Sequence, residues 1–213
     1  MEIVFVRHGN AEPRDPNAKD FVADELARQL TEKGRSQVPR NLGKFDLVFS
    51  SPAMRAKETA KIAAPGMDPT IINALSTHLW EGDWESVDNL FVNQGNRSLV
   101  EAYSIASEKE MEAVRAISME AFEAIKKCVR ENGLGVGSRI LMAGHAMHLQ
   151  ALAEEFDAMY AHHPEEWDGW DATQGLNWST PIREVILSEG GSFRAIAPCQ
   201  SYEFHGLRQI NLW

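Results

Sequence analysis

A three-layer α/β/α fold with a mostly parallel central sheet is predicted by the alternation of short apolar runs and helical segments along the 213 residues. Three runs carry the prediction, because each ends in a turn rich in polar residues or glycine. Glu2 to Val6 runs into Arg7-His8-Gly9, Asp46 to Phe49 into Ser50-Ser51-Pro52, and Arg139 to Ala143 into Gly144-His145. Open α/β sheets bind ligands beyond the carboxyl ends of their strands, so chemistry is expected at those three turns.

The elements follow in order. Glu2 to Val6 reads as a buried first strand. A polar loop with Pro13 and Pro16 comes next, and Thr31 caps a short helix from about Glu32 that Pro39 ends early. The second strand leads to Ser50-Ser51-Pro52, a cap and a first-turn proline for a helix from about Pro52 to Ala63. In that helix Arg55 and Thr59 share a face, and Ala53, Ala56, Ala60 and Ile62 point inward. Val87 to Asn132 has helical composition, clearest over Glu108 to Val129 and stopping near Gly133. The third strand and Gly144-His145 precede an apolar-patterned helix through about Tyr160. Val185 to Leu187 and Phe193 to Ile196 flank Glu189-Gly190-Gly191 and read as a terminal hairpin. A chain of this length with 44% hydrophobic residues fits one domain, 1–213, with a helical insert at about 86–133.

Composition excludes several functions. A formal charge of −10 opposes nucleic-acid binding, which needs a basic face for counterion release. No apolar run reaches a membrane span, and the first residues do not make a secretory signal, so a cytoplasmic protein without a membrane partner is expected. Cys128 and Cys199 alone make neither a disulfide framework nor a metal site.

An anionic substrate must therefore meet a local basic pocket. Phosphoryl transfer needs an in-line nucleophile, cations on the nonbridging oxygens and a proton for the leaving group. Arg7, His8, Arg55 and His145, all at predicted strand ends or the following helix, meet the first two needs. Imidazole attacks phosphorus only when neutral, a form that neighbouring cations favour. Arginine suits the clamp because its planar fork matches phosphate.

Val6-Arg7-His8-Gly9-Asn10, Leu30-Thr31-Glu32-Lys33-Gly34, the eleven residues from Ser50 to Ala60 and Gly144-His145, in this order, resemble the histidine phosphatase (phosphoglycerate mutase-like) superfamily. The resemblance implies that His8 is phosphorylated during turnover, that Arg7 and Arg55 bind phosphate, and that His145 completes the pocket. Asn10 stands where the family often has a polar residue near the phosphate, and Ser50 near the pocket rim. Family members often carry a glutamate four residues before the glycine of a Gly-x-Trp-Glu segment. Here Gly82-Asp83-Trp84-Glu85 has His78 at that offset, so either Glu81, in a locally rearranged loop, or His78 as imidazolium is the candidate acid.

The expectation is a cofactor-independent phosphatase acting on a small phosphomonoester or a phosphohistidine protein through phospho-His8. A mutase returns the phosphoryl group to a second hydroxyl through the same intermediate, and a noncatalytic phosphate-binding scaffold would dispense with the acid. No metal is expected. His148, three residues after His145, reads as a residue of the helix surface or one behind the site, and His162-His163 as loop residues. Trp167, Trp170 and Trp178 mark an ordered loop serving as packing anchors, a cover for the site or a subunit contact.

Overall fold

The computed structural model describes residues 2–40, 42–93, 102, 103, 105–134, 138–145, 148, 149, 151 and 152, and the backbone of three strands at 184–186, 201–204 and 207–210. In chain order the elements are β1 (Glu2–Arg7), α1 (Phe21–Ala27), α2 (Glu32–Gln37), β2 (Leu47–Ser50), α3 (Met54–Ala63) and β3 (Thr70–Ile71). Two 3₁₀ turns follow at Asn73–Leu75 and Thr77–Leu79, then α4 (Trp84–Asn93), α5 (Glu108–Glu131), β4 (Arg139–Gly144), β5 (Glu184–Ile186), β6 (Ser201–Phe204) and β7 (Leu207–Ile210). Among the described residues no helix is long and apolar enough to cross a membrane.

The main sheet has the order β3-β2-β4-β1-β5, and every pairing in it is parallel. Both faces of its central strands are covered, which is why β1 and β4 are continuous apolar runs. The two-residue alternation divides them between two cores. Ile3, Phe5, Phe49, Ile140 and Met142 pack with Ile117, Phe122 and Ile125 of α5 on one side. Val4, Val6, Val48, Leu141 and Ala143 pack with Ala60 and Ala63 of α3, and with Leu30 and Val38, on the other. The expected α/β layers are thus present.

Thr31 caps α2 as its sequence suggests, its hydroxyl accepting from Gly34 N at 2.9 Å. Ser107 and Glu110 form a reciprocal capping box at the start of α5, and Gly133, at φ +61°, turns the chain just past its end. Three expectations shift. Helix α3 starts at Met54, and its N-cap is Ala53 without a side-chain bond. The serines are engaged elsewhere: Ser51 N donates to Ala143 O at 3.0 Å, extending the β2–β4 ladder, and Ser50 Oγ donates to Ser51 O at 2.8 Å. Residues 21–27, expected as loop, form α1, capped by Asp20, whose carboxylate accepts from Ala23 N at 2.9 Å. Its inward side chain is a glutamate, so no apolar stripe announces it. Finally, residues 184–186 join the sheet parallel to β1, and the described antiparallel pair is β6–β7. Phe193 to Ile196, the helix beyond residue 152, His162-His163 and the tryptophans at 167, 170 and 178 lie outside the described residues.

The chain leaving β1 is clasped against α2. Thr31 N donates to Asn10 O at 2.9 Å, and Leu30 N donates to Glu58 Oε2 of α3 at 2.7 Å. Gly9 and Gly34 touch backbone to backbone, and a Cβ on Gly34 would collide with Asn10 O. Gly34→Ala is therefore expected to destabilise the fold by about 1–3 kcal/mol, because the backbone must move to admit the methyl group. Chemical denaturation checks this; an unchanged midpoint would show that the clasp yields freely.

Candidate active site

Three strands end at the same level. Arg7 is in register with Gly144, and Ser50 with Ala143, so the turns after β1, β2 and β4 meet at one edge of the sheet. His8 N donates to Gly144 O at 3.0 Å, continuing the ladder by one residue and fixing the backbone of His8. Helix α3 then brings in Arg55, whose side chain is only 3% exposed. Thr59, one turn later and fully buried, donates its hydroxyl to Arg55 O at 2.8 Å, and Arg55 N donates to Arg28 O at 3.1 Å.

The guanidinium of Arg55 joins the site. Its Nε donates to His8 Nε2 at 3.3 Å, its Nη1 to Glu25 O at 2.6 Å, and its Nη2 reaches both Glu25 Oε1 and His145 Nε2. The rings of His8 and His145 meet edge to face, with centroids 4.6 Å apart. These contacts settle the state of His8. Nδ1 lies 2.8 Å from Gly9 O, which can only accept, and Nε2 receives a hydrogen bond, so the ring is neutral with its proton on Nδ1 and a lone pair on Nε2. Burial, followed by the charges of Arg55, Arg7 and Arg28, lowers its pKa to about 4 despite the Gly9 bond. His145 falls well below the ordinary histidine value, through burial first and then through His8 and Arg55. Its Nε2 takes a hydrogen bond from Arg55, so its Nδ1 carries the proton. That nitrogen is buried and has no partner among the described residues, which leaves a donor for an incoming oxygen.

Beside these groups lies a cavity of about 180 Å³, lined by Arg14, Glu25, Leu26, Ala53, Arg55, Ser76, Thr77, His78, Asp88, His145 and His148. Glu25 is its most engaged carboxylate. Arg14 Nε and Arg28 Nη1 each donate to Oε2 at 2.7 Å, and Arg55 holds Oε1. Burial alone would raise its pKa, but the bond from Arg28, the charge of Arg55 and the bond from Arg14 outweigh it and keep the carboxylate ionised.

The residues singled out in the sequence are unevenly gathered. His8, Arg55 and His145 are in mutual contact. Arg7, the last residue of β1, acts on both histidines through its charge. Ser50 is buried at the end of β2. Asn10 is exposed and joined to Gln37 and Thr31 through its backbone. His78 lines the cavity, whereas Glu81 is exposed and outside the lining. His148 faces the cavity too, its Nε2 2.7 Å from Thr77 Oγ1, and its pKa is lowered to about 4 by burial and by His78.

Sequence reasoning missed Glu25, Arg14, Arg28, Thr77 and Asp88. One signal was present: Glu25 and Arg28 are three apart just before Leu30-Thr31, a spacing that pairs them on one helical face.

Two outcomes test this geometry. The His8 ring, followed by imidazole NMR, should titrate near pH 4, so that the neutral, nucleophilic form persists through pH 5 and is lost only below; titration near 6.5 would contradict the buried, cation-flanked setting. Glu25→Gln keeps the shape of the carboxylate but removes a negative charge facing the arginines. Inorganic phosphate should bind this variant about 3- to 10-fold more tightly, roughly 1 kcal/mol. Weaker binding by calorimetry would mean that the charge of Glu25 is needed to gather the arginines.

Comparison with known proteins follows the same lines. The family model described as histidine phosphatase superfamily (branch 1) matches residues 3–178. No curated protein matches significantly. Among solved structures, a phosphoserine phosphatase from Entamoeba histolytica is 16% identical, with a TM-score of 0.46, over 78% of this chain and 85% of that one. A phosphoglycerate mutase from Thermus thermophilus is 18% identical, with a TM-score of 0.36, over 70% of this chain and 80% of its own. With the family model spanning all three strand-end turns, the chain belongs to the histidine phosphatase superfamily, branch 1.

Proposed function

We propose that this protein is a phosphatase that hydrolyses a phosphomonoester or a phosphohistidine by two in-line transfers through phospho-His8. The observation that carries this reading is the neutral tautomer of His8, with Nδ1–H on Gly9 O and the Nε2 lone pair turned to the Arg55 guanidinium. A nucleophile and its phosphate clamp then share one spot.

In the first step Arg55 shifts its Nε–H hydrogen bond from His8 Nε2 to a phosphate oxygen, and the freed Nε2 lone pair forms a bond to phosphorus while the bond to the leaving group breaks and its electron pair departs with that group. Arg7, Arg55 and the Nδ1–H of His145 hold the nonbridging oxygens as their charge develops. His78, in its protonated form, gives the leaving group its proton. Support for His78 over Glu81 comes from its place in the cavity wall. In the second step water attacks phosphorus, the P–Nε2 bond breaks with its electrons returning to nitrogen, and neutral His78 takes the proton from water. Ester and water go in; alcohol and phosphate come out. All of these groups belong to the chain.

The test is turnover of p-nitrophenyl phosphate by parent and His8→Ala protein without added metal, with acid-quench detection of an acid-labile phosphoenzyme. Both signals should be present in the parent and absent from the variant. A folded parent showing neither, across a panel of phosphoesters and phosphohistidine, would sink the enzyme reading and leave a phosphate-binding scaffold. Labelled phosphate retained in an organic product would instead identify a mutase.

A further inference from the structure

Two exposed aromatic rings pack against His78, a residue of the cavity wall. Phe21 and Trp84 remain 47% and 41% exposed, although the phenylalanines at 5, 49 and 122 are fully buried. The ring of His78 stands between them edge-on, with centroids 5.5 Å from Phe21 and 5.9 Å from Trp84. Arg14 lies over the Phe21 ring at 4.5 Å while its Nε holds Glu25.

Their placement follows from helical spacing. Phe21 and Glu25 are four apart on α1, and Trp84 and Asp88 are four apart on α4. Residues at that spacing lie on one face. Each helix therefore offers a carboxylate to the cavity and, one turn away, an aromatic ring that packs on His78 of the cavity wall. Four residues rise about 6 Å along a helix axis. Phe21, against Arg14 and His78, and Trp84, against His78, thus lie beside the cavity wall, where the group attached to a bound phosphate would extend. Edge-to-face packing against aromatic side chains, with a guanidinium at one end, is the chemistry that recognises a planar ring.

We propose that Phe21, His78 and Trp84, with Arg14 at one end, form a subsite for a planar aromatic or heteroaromatic ring carried by the phosphorylated substrate. The inference rests on the phosphatase reading and names its substrate class.

Leaving-group reactivity must be separated from ring recognition, so the decisive pair is benzyl phosphate and propyl phosphate, both esters of aliphatic alcohols. The parent should favour the benzyl ester by about tenfold in kcat/KM, mostly through KM. Phe21→Ala and Trp84→Ala should each cut that preference to about threefold or less while changing propyl phosphate turnover little, and Trp84→Phe should restore it. Equal turnover of the two esters by the parent, or a preference untouched in both alanine variants, overturns the subsite. Binding of benzylphosphonate and propylphosphonate to the parent, by calorimetry, reads the same preference without turnover. A ring preference there in a protein that hydrolyses nothing would fail the phosphatase reading and keep the subsite; no preference would fail the subsite alone. Phosphotyrosine and phosphohistidine, each against phosphoserine, then distinguish a phenol from an imidazole as the source of the ring. Failure of both to exceed phosphoserine by a margin that depends on Trp84 also overturns it.

Discussion

Arg55 carries a full positive charge where almost no water reaches it, and the surrounding groups are arranged to make that tolerable. A buried guanidinium is stable only if its donors are satisfied and an opposite charge lies close. The groups that satisfy it come from three parts of the chain: the carboxylate and backbone carbonyl of Glu25 on α1, His8 after β1, and His145 after β4; the Thr59 hydroxyl separately steadies the helical turn by donating to the backbone carbonyl of Arg55. Removing any one of them changes more than one contact, because the same arginine contributes to the low pKa of both histidines.

The sheet makes this convergence possible. With β4 between β1 and β2, the turns bearing His8 and His145 are neighbours, and α3 begins directly beside them. The parallel order also explains why residues 8, 55 and 145 meet although they are far apart in sequence. The clasp of Asn10 to Thr31, with Gly9 against Gly34, fixes the path of the chain just after His8, so the imidazole enters the site at a set angle.

This part of the molecule was legible because it is local. Arg7-His8-Gly9, Ser50 to Ala60 and Gly144-His145 each carry strand, turn and chemical group within a few residues, and the buried strands declare themselves by apolar runs. What was not legible depends on tertiary contact. Helix α1 is two turns long and turns a glutamate inward, so its pattern resembles a solvated loop until Arg14, Arg28 and Arg55 are seen to converge on it. Asp88 sits on a helix whose spacing was plain, but nothing in the sequence says which of its polar residues faces the cavity. The offset that favoured either His78 or Glu81 could not choose between them, since they are three residues apart in a segment whose 3₁₀ turn ends at Leu79.

A carboxylate at the heart of a site proposed for an anion looks contradictory, yet electrostatics calls for it. Three guanidiniums brought together without a counter-charge would repel one another and lose their hydration, a cost that rises as the surroundings become drier. Glu25 offsets that repulsion before any ligand arrives. Because each arginine approaches it from a different element, it also gives them a common point of aim. A phosphate, with more charge and more acceptor oxygens, can then compete for the same donors. Glu25 thus steadies the cluster and holds down its affinity for phosphate through the same contacts, because the donors it occupies are those the ligand must take.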